Sequence, residues 1–183
     1  RVMGQLVGAV EGMRQEGEAL PYPVVSGNVS LYNETGDTAV LPTPTVGGVG
    51  LLADLSGMAT IAFKAADEAV VLLGETRGHL GASLYLQRRT GREDGAPPPV
   101  DLAAEKRTGD LVRRLIAEGT VSACHDVSDG GLLVAVAEMA MAARGKIGAE
   151  ISVPDGANMA AACAWLFGED QGRYLVAAPD AAP

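Results

Sequence analysis

Histidine, cysteine and aromatic residues are scarce in this sequence, and each shortage removes a class of function. Among its 183 residues there are 2 histidines and 2 cysteines. A structural zinc site needs about four N or S ligands, which this chain cannot assemble from spaced His and Cys pairs. A Ser/His/Asp triad lacks the strained Gly-x-Ser-x-Gly elbow that would carry its nucleophile. Cys124 and His125 are neighbours, so on a strand they would point to opposite faces and could not act as a pair. Cys124 and Cys163 lie far apart in apolar surroundings and read as two reduced core thiols of a cytoplasmic protein. Basic residues are also in the minority, 14 against 23 acidic, for a formal charge of −9. That balance argues against a nucleic-acid surface, which rests on clustered Lys and Arg. The clusters Arg88-Arg89 with Arg92, and Lys106-Arg107 with Arg113-Arg114, read as solvated helix faces. No apolar run reaches the length of a membrane helix, and no signal peptide is visible. The start at Arg1 and the unpunctuated end in Ala-Ala-Pro read as cuts, so a longer parent chain is expected.

Glycine, by contrast, is abundant: 24 residues, about twice the usual ~7 %. With only 4 % aromatics, this implies tight turns and close backbone approaches. Residues 2–19 read as a helix with Val2, Leu6, Val10 and Met13 on one stripe. Gly4, Gly8, Gly12 and Gly17 within it fit places where a neighbouring element packs closely. Pro21 and Pro23 stop the helix and launch a strand at 22–25. Thr35-Gly36-Asp37 is a hairpin turn, with 38–41 the returning strand. Residues 41–50, with Pro42, Pro44, Gly47, Gly48 and Gly50, can be neither helix nor central strand. A domain boundary is expected there, dividing the chain into 1–49 and 50–183.

The second part alternates strand and helix. Strands are expected at 59–63, at 68–74 (continuously apolar, as if covered on both faces), and at 121–127, 146–153 and 173–178. Helices are expected at 83–87, at 101–118 with Asp101 as N-cap and Gly119 as stop, at 132–143 and around 158–167. Residues 90–100, with three prolines, form an exposed loop. No internal repeat is evident. The fold class is α/β (α+β): an open mixed sheet with helices packed against it.

Three polar stretches could carry chemistry. In Ser26-Gly27-Asn28-Val29-Ser30-Leu31-Tyr32-Asn33-Glu34, an extended backbone would place Ser26, Asn28 and Ser30 on one face. Gly27 between them would let a ligand approach the backbone. Such oxygens suit a phosphate with its magnesium, though the same residue types make an ordinary polar turn. Cys124-His125-Asp126-Val127-Ser128-Asp129-Gly130-Gly131 ends a strand and opens a helix. Its backbone N–H groups could hold an anion. Asp126 and Asp129 could instead hold a cation or cap the helix. Gly168-Glu169-Asp170-Gln171-Gly172-Arg173 reads as a solvated loop from which Glu169 or Gln171 could reach a site. His79 has no evident partner and reads as structural.

These stretches resemble phosphoribosylformylglycinamidine synthase, the large ATP-dependent synthetase subunit of purine biosynthesis. The resemblance rests on residues 26–34 followed by Pro42-Thr43-Pro44 and Gly47. His125-Asp126-Val127-Ser128-Asp129-Gly130-Gly131-Leu132, Gly81-Ala82-Ser83-Leu84-Tyr85-Leu86 and Pro97-Pro98-Pro99-Val100-Asp101-Leu102 add to it. The His-Asp-x-Ser-Asp-Gly-Gly turn is shared with a wider superfamily that includes aminoimidazole ribonucleotide synthetase and selenophosphate synthetase. The 26–34 stretch points to the formylglycinamidine enzyme more narrowly.

The resemblance implies a two-lobed unit like that of aminoimidazole ribonucleotide synthetase. This chain would hold the end of a second amino-terminal lobe and most of a second carboxy-terminal lobe. It implies ATP and Mg2+ as cofactors. By motif, Gly27 matches an ATP contact, Asn28 a magnesium ligand and Ser30 a contact to the substrate, formylglycinamide ribonucleotide. The catalytic histidine, the nucleotide lysine and the acidic magnesium ligands of that family lie outside this sequence, so the segment alone is expected to be inactive. Implied partners are the remainder of its own chain, a glutaminase subunit and a small accessory subunit. Glu169-Asp170-Gln171 departs from the family's Glu-Ser-Gln substrate triplet and is given no substrate role. The competing class is a non-catalytic lobe at 50–183, structural or holding a nucleotide that never turns over.

Overall fold

The computed structural model describes residues 2–179; Arg1 and residues 180–183 lie outside them. The chain divides into two compact units, Arg1–Ala53 and Asp54–Pro183.

The first unit begins with α1, Val2–Ala19. A Cβ added at Gly4, Gly8 or Gly12 would meet nothing within 4 Å, so these glycines are not the close contact points expected of them. Gly17 alone has a near neighbour, the Tyr22 carbonyl oxygen at 3.1 Å from an added Cβ. The expected strand at 22–25 is irregular, exposed backbone instead. Apolar β-formers make a strand only where a ladder partner meets their N–H and C=O groups, and these residues pair with none. The hairpin is present but short: β1, Glu34–Thr35, pairs with β2, Thr38–Ala39, in antiparallel register. Gly36 adopts φ +62° in its two-residue turn, a conformation that hairpin loops of this length demand. Residues 41–50 are irregular and exposed, with a tight turn in which the Thr43 N–H donates to the Leu41 carbonyl at 2.8 Å.

The second unit is built on a three-stranded antiparallel sheet in the order β3-β5-β4, with β3 at Ala69–Leu73, β4 at Ala123–Asp126 and β5 at Tyr174–Ala178. Registers run Val71↔Val176 on one side and Cys124↔Val176 on the other. The central β5 is therefore the buried strand, while β3 is only half-buried with Val70 38 % exposed. That corrects the expectation that 68–74 is covered on both faces: its apolar run marks an edge strand. The expected strand at 59–63 shrinks to a single parallel bridge, Thr60↔Ala123, where Cys124 N–H donates to the Thr60 carbonyl at 3.2 Å. Residues 146–153 carry no strand at all.

The helices follow the capping chemistry closely. α2, Leu84–Thr90, starts at Ser83, whose Oγ accepts the Leu86 N–H, and ends at Gly91 in the left-handed region. α3, Leu102–Ala117, is capped by Asp101, which accepts the N–H groups of Ala103 and Ala104. α4, Gly131–Ala142, and α5, Met159–Phe167, pack against each other. The core joins Phe63, Ala123 and Val127 to Leu132, Ala135, Val136 and Met139 of α4 and to Leu175 and Ala177 of β5. Helices against an antiparallel sheet with one parallel bridge make this the α+β arrangement expected.

Candidate functional site

Gly27, Asn28 and Ser30 sit in exposed, irregular backbone of the first unit. No ladder holds this stretch, so the strict alternation inferred for Ser26, Asn28 and Ser30 has no strand behind it. Local bonds shape it instead. Ser30 Oγ donates to Asn33 Oδ1 at 3.2 Å, and Asn33 Nδ2 donates back to the Ser30 carbonyl at 3.3 Å. The Val40 N–H then donates to the Asn33 carbonyl at 3.0 Å, which ties the stretch to the hairpin. Gly27 has open space where a Cβ would stand, so a ligand could reach its backbone. In the same unit Tyr22 Oη donates to the Gly47 carbonyl at 3.0 Å, joining the start of the stretch to the 41–50 segment.

In the second unit the turn after β4 behaves otherwise than expected. Neither Asp126 nor Asp129 caps α4. Its N-cap is Gly130 at φ +81°, which makes no side-chain cap bond of its own. The Gly130 N–H donates instead to Glu169 Oε1 at 2.8 Å, and the same oxygen accepts the N–H of Leu84 at the start of α2, also at 2.8 Å. A carboxylate from the chain thus fills the anion position that the turn was expected to offer a ligand. Among the described residues, no group of three or more His, Cys, Asp or Glu is placed to hold a metal ion. Asp126 is exposed and lies 3.3 Å from His125 Nδ1 without hydrogen-bonding geometry. His125 Nε2 pairs with Glu138 Oε2 at 2.9 Å, joining β4 to α4.

The 168–173 segment is not the solvated loop expected. Asp170 and Arg173 are buried at 5 % and 1 % exposure. Asp170 accepts three successive backbone N–H groups: Arg77 at 3.0 Å and Gly78 at 2.8 Å on Oδ2, and His79 at 3.2 Å on Oδ1. The Arg173 guanidinium donates to the Gly168 carbonyl, to the Asp170 carbonyl at 3.2 Å and to Thr76 Oγ1 at 3.3 Å. Burial pushes its pKa down from the ordinary value, and the Asp170 charge opposes that shift. His79, expected to lack a partner, pairs through Nε2 with the Ala96 carbonyl at 2.8 Å and anchors the proline-rich loop. Sequence reasoning missed Glu169 and Asp170 as anchors because the backbone N–H groups they accept lie 39 to 93 positions away, and Arg173 because the Thr76 hydroxyl it reaches lies 97 positions away. A charged triplet between two glycines looks the same whether it is solvated or buried.

Both cysteines are free and half-buried. Burial, with the nearby Asp126 charge, pushes the Cys124 thiol above its ordinary value. Less thiolate is then present at a given pH, and thiolate is the reactive form. Cys124 is expected to alkylate more slowly at pH 8.5 in the native protein than in the same chain unfolded in guanidinium, as read residue by residue by mass spectrometry. Equal rates would contradict this environment.

An antiparallel sheet backed by helices, with its connecting turns bolted by the Glu169 and Asp170 carboxylates, defines an α+β lobe whose polar loops are fixed by its own chain. Residues 65–183 match the family model described as AIR synthase related protein, C-terminal domain, and the chain belongs to that family. It is 58 % identical over 180 residues to phosphoribosylformylglycinamidine synthase subunit PurL of Rhodopseudomonas palustris strain TIE-1, covering 98 % of this chain and 24 % of the relative. The protein of the same name from R. palustris strain HaA2 is 60 % identical over 175 residues, or 96 % of this chain and 23 % of the relative. That of Bradyrhizobium sp. strain BTAi1 is 59 % identical over 179 residues, or 98 % and 24 %. The chain thus spans about a quarter of the length of these curated relatives. Their shared name is the one the polar motifs suggested.

Proposed function

We propose that this chain is part of an ATP-dependent amidoligase of purine biosynthesis. The reaction takes formylglycinamide ribonucleotide, ATP and glutamine-derived ammonia to formylglycinamidine ribonucleotide, ADP and phosphate. One observation carries the reading: 58 % identity across 98 % of the chain to a protein named for that activity. In this reaction the formamide oxygen is activated as a phosphate ester, and ammonia displaces phosphate at the same carbon.

The residues present fit one wall of such a site. Asn28 offers an amide oxygen and Ser30 a hydroxyl, the hard donors that magnesium and a ribonucleotide accept. Gly27 leaves its backbone open to a phosphate. Magnesium, when bound, would neutralise charge on the transferring phosphoryl group. In this reading Gly27 contacts ATP, Asn28 is one magnesium ligand and Ser30 orients the ribonucleotide. The rest of the donor set comes from the remainder of the chain, so the segment alone is inactive. A glutaminase subunit supplying ammonia, a small accessory subunit and a cytoplasmic location belong to the same proposal. No described helix is long and apolar enough to cross a membrane.

In this scheme the second unit has a supporting role, with Glu169 occupying the N-terminal turn of α4 where a ligand anion could have bound. In the full-length protein, Asn28→Ala is expected to cut turnover at least about tenfold, equivalent to ~1.4 kcal/mol in the barrier, and to raise the magnesium requirement. Ser30→Ala should raise KM for the ribonucleotide. Asp126→Ala should leave kcat/KM within about twofold. Unchanged magnesium and ATP dependence in Asn28→Ala would overturn the assignment.

A further inference from the structure

Asn33 makes three hydrogen bonds in the first unit, and the proposed reaction gives it no part. Its carbonyl accepts the Val40 N–H at 3.0 Å. Because β1 and β2 pair Glu34 with Ala39, this bond extends the hairpin one rung beyond its strands. The backbone of Asn33 is thereby held. Its side chain reaches back to Ser30, where Oδ1 accepts from the hydroxyl at 3.2 Å and Nδ2 donates to the carbonyl at 3.3 Å.

The direction of the first side-chain bond follows from the second. Turned the other way, the amide would set Oδ1 against the Ser30 carbonyl oxygen, two acceptors with no proton between them. The carbonyl therefore fixes Nδ2 on its own side and Oδ1 beside Ser30 Oγ. An amide oxygen only accepts, so the serine supplies the proton. A hydroxyl has one proton to give and two lone pairs to receive with. With that proton committed to Asn33, Ser30 faces a ligand as an acceptor. A serine without such a neighbour rotates to suit either kind of partner. Ser30 is exposed, so a ligand can reach its lone pairs.

We infer that Asn33 is a positioning residue that fixes the Ser30 hydroxyl as a hydrogen-bond acceptor for the ribonucleotide. The substrate group it meets is then a donor, a ribose hydroxyl or an amide N–H, and not an ionised phosphate oxygen. This rests on the reading of Ser30 as a ribonucleotide contact and deepens it. Asn33 itself touches no substrate. It acts through Ser30, from a backbone position that the hairpin holds.

Steady-state kinetics of the full-length protein, with ammonium as the nitrogen source, tests both parts. Asn33→Ala should raise KM for the ribonucleotide about three- to tenfold, the weight of one modest hydrogen bond. Its kcat, its KM for ATP and its magnesium requirement should stay within about twofold. The double variant Asn33→Ala with Ser30→Ala should be no worse than Ser30→Ala alone, since residues acting through one hydroxyl are not additive. With a substrate lacking the 5′-phosphate, the kcat/KM ratio between the unmodified protein and Ser30→Ala should persist. With 2′-deoxy and 3′-deoxy analogues, loss of that ratio marks a ribose hydroxyl as the donor, and its survival marks an amide N–H. A ratio that vanishes with the phosphate makes Ser30 a donor to it and overturns the assigned polarity. Unchanged KM in Asn33→Ala, or effects that multiply in the double variant, overturns the positioning role and leaves Ser30 in place. A rise in KM for ATP as large as that for the ribonucleotide makes Asn33 a prop of the whole stretch and also overturns it. If Ser30→Ala itself has no effect on the ribonucleotide, the underlying reading fails and the inference with it.

Discussion

Asp170→Ala is expected to remove about 3–5 kcal/mol of stability, the range seen when one partner of a buried charge pair is deleted. The residue is 5 % exposed, and its carboxylate is the acceptor for three consecutive N–H groups at 77–79. It also lies 3.9 Å from the guanidinium of Arg173, which is itself 1 % exposed. Truncation strands three donors and leaves a buried cation without its counter-charge. Burial already works against that cation, and Asp170 is the charge that opposes the effect. Asp170→Asn should be milder, because an amide oxygen can still accept from the loop. Denaturant unfolding of the full-length protein measures both variants. A loss under about 1 kcal/mol for Asp170→Ala would mean that water replaces the carboxylate without cost.

Gly131→Ala is expected to cost about 3 kcal/mol, from two sources of similar size. Gly131 opens α4 at φ +72°, where an L side chain loses roughly 1–2 kcal/mol. An added Cβ would also stand 2.6 Å from the Gly168 carbonyl oxygen and 2.7 Å from the Phe167 carbonyl carbon. Those are backbone atoms and cannot swing aside, so overpacking adds about 1–3 kcal/mol. Gly4→Ala in α1 is the control. Nothing lies within 4 Å of its Cβ position, and alanine there should stabilise the helix by up to ~1 kcal/mol. Thermal unfolding of both variants separates the effects. An unchanged Tm for Gly131→Ala would show that the α4–α5 junction relaxes freely.

The helices were legible because their causes are local, although α2 runs three residues past the expected end at 87. Asp101, Ser83 and Asn158 cap α3, α2 and α5 through N–H groups two or three residues ahead, and such short-range bonds leave a sequence signature. The hairpin at Gly36 was legible for the same reason. Strands fared unevenly. Residues 69–73 and 174–178 found partners, whereas 22–25 and 146–153 did not. A strand exists only when another stretch of backbone lies alongside it, and no property of the strand's own residues reports whether one does. The burial of β3 was misjudged on that account: its position at the edge follows from β5 taking the centre.

Of the candidate sites, the sequence by itself offered the chemistry to propose: Asn28 and Ser30 as hard oxygen donors beside Gly27, and the glycine turn at 128–131 as a place for an anion. It also determined the family, because those motifs are short, contiguous and specific. Only the tertiary structure decided what occupies the anion position. Glu169, 39 residues beyond Gly130, fills it, and Asp170 and Arg173 are drawn into the interior behind it. The reason is geometric. A carboxylate in a glycine-flanked triplet is equally soluble or buried until the fold brings unsatisfied N–H groups to it, and those groups come from segments that the sequence places far away.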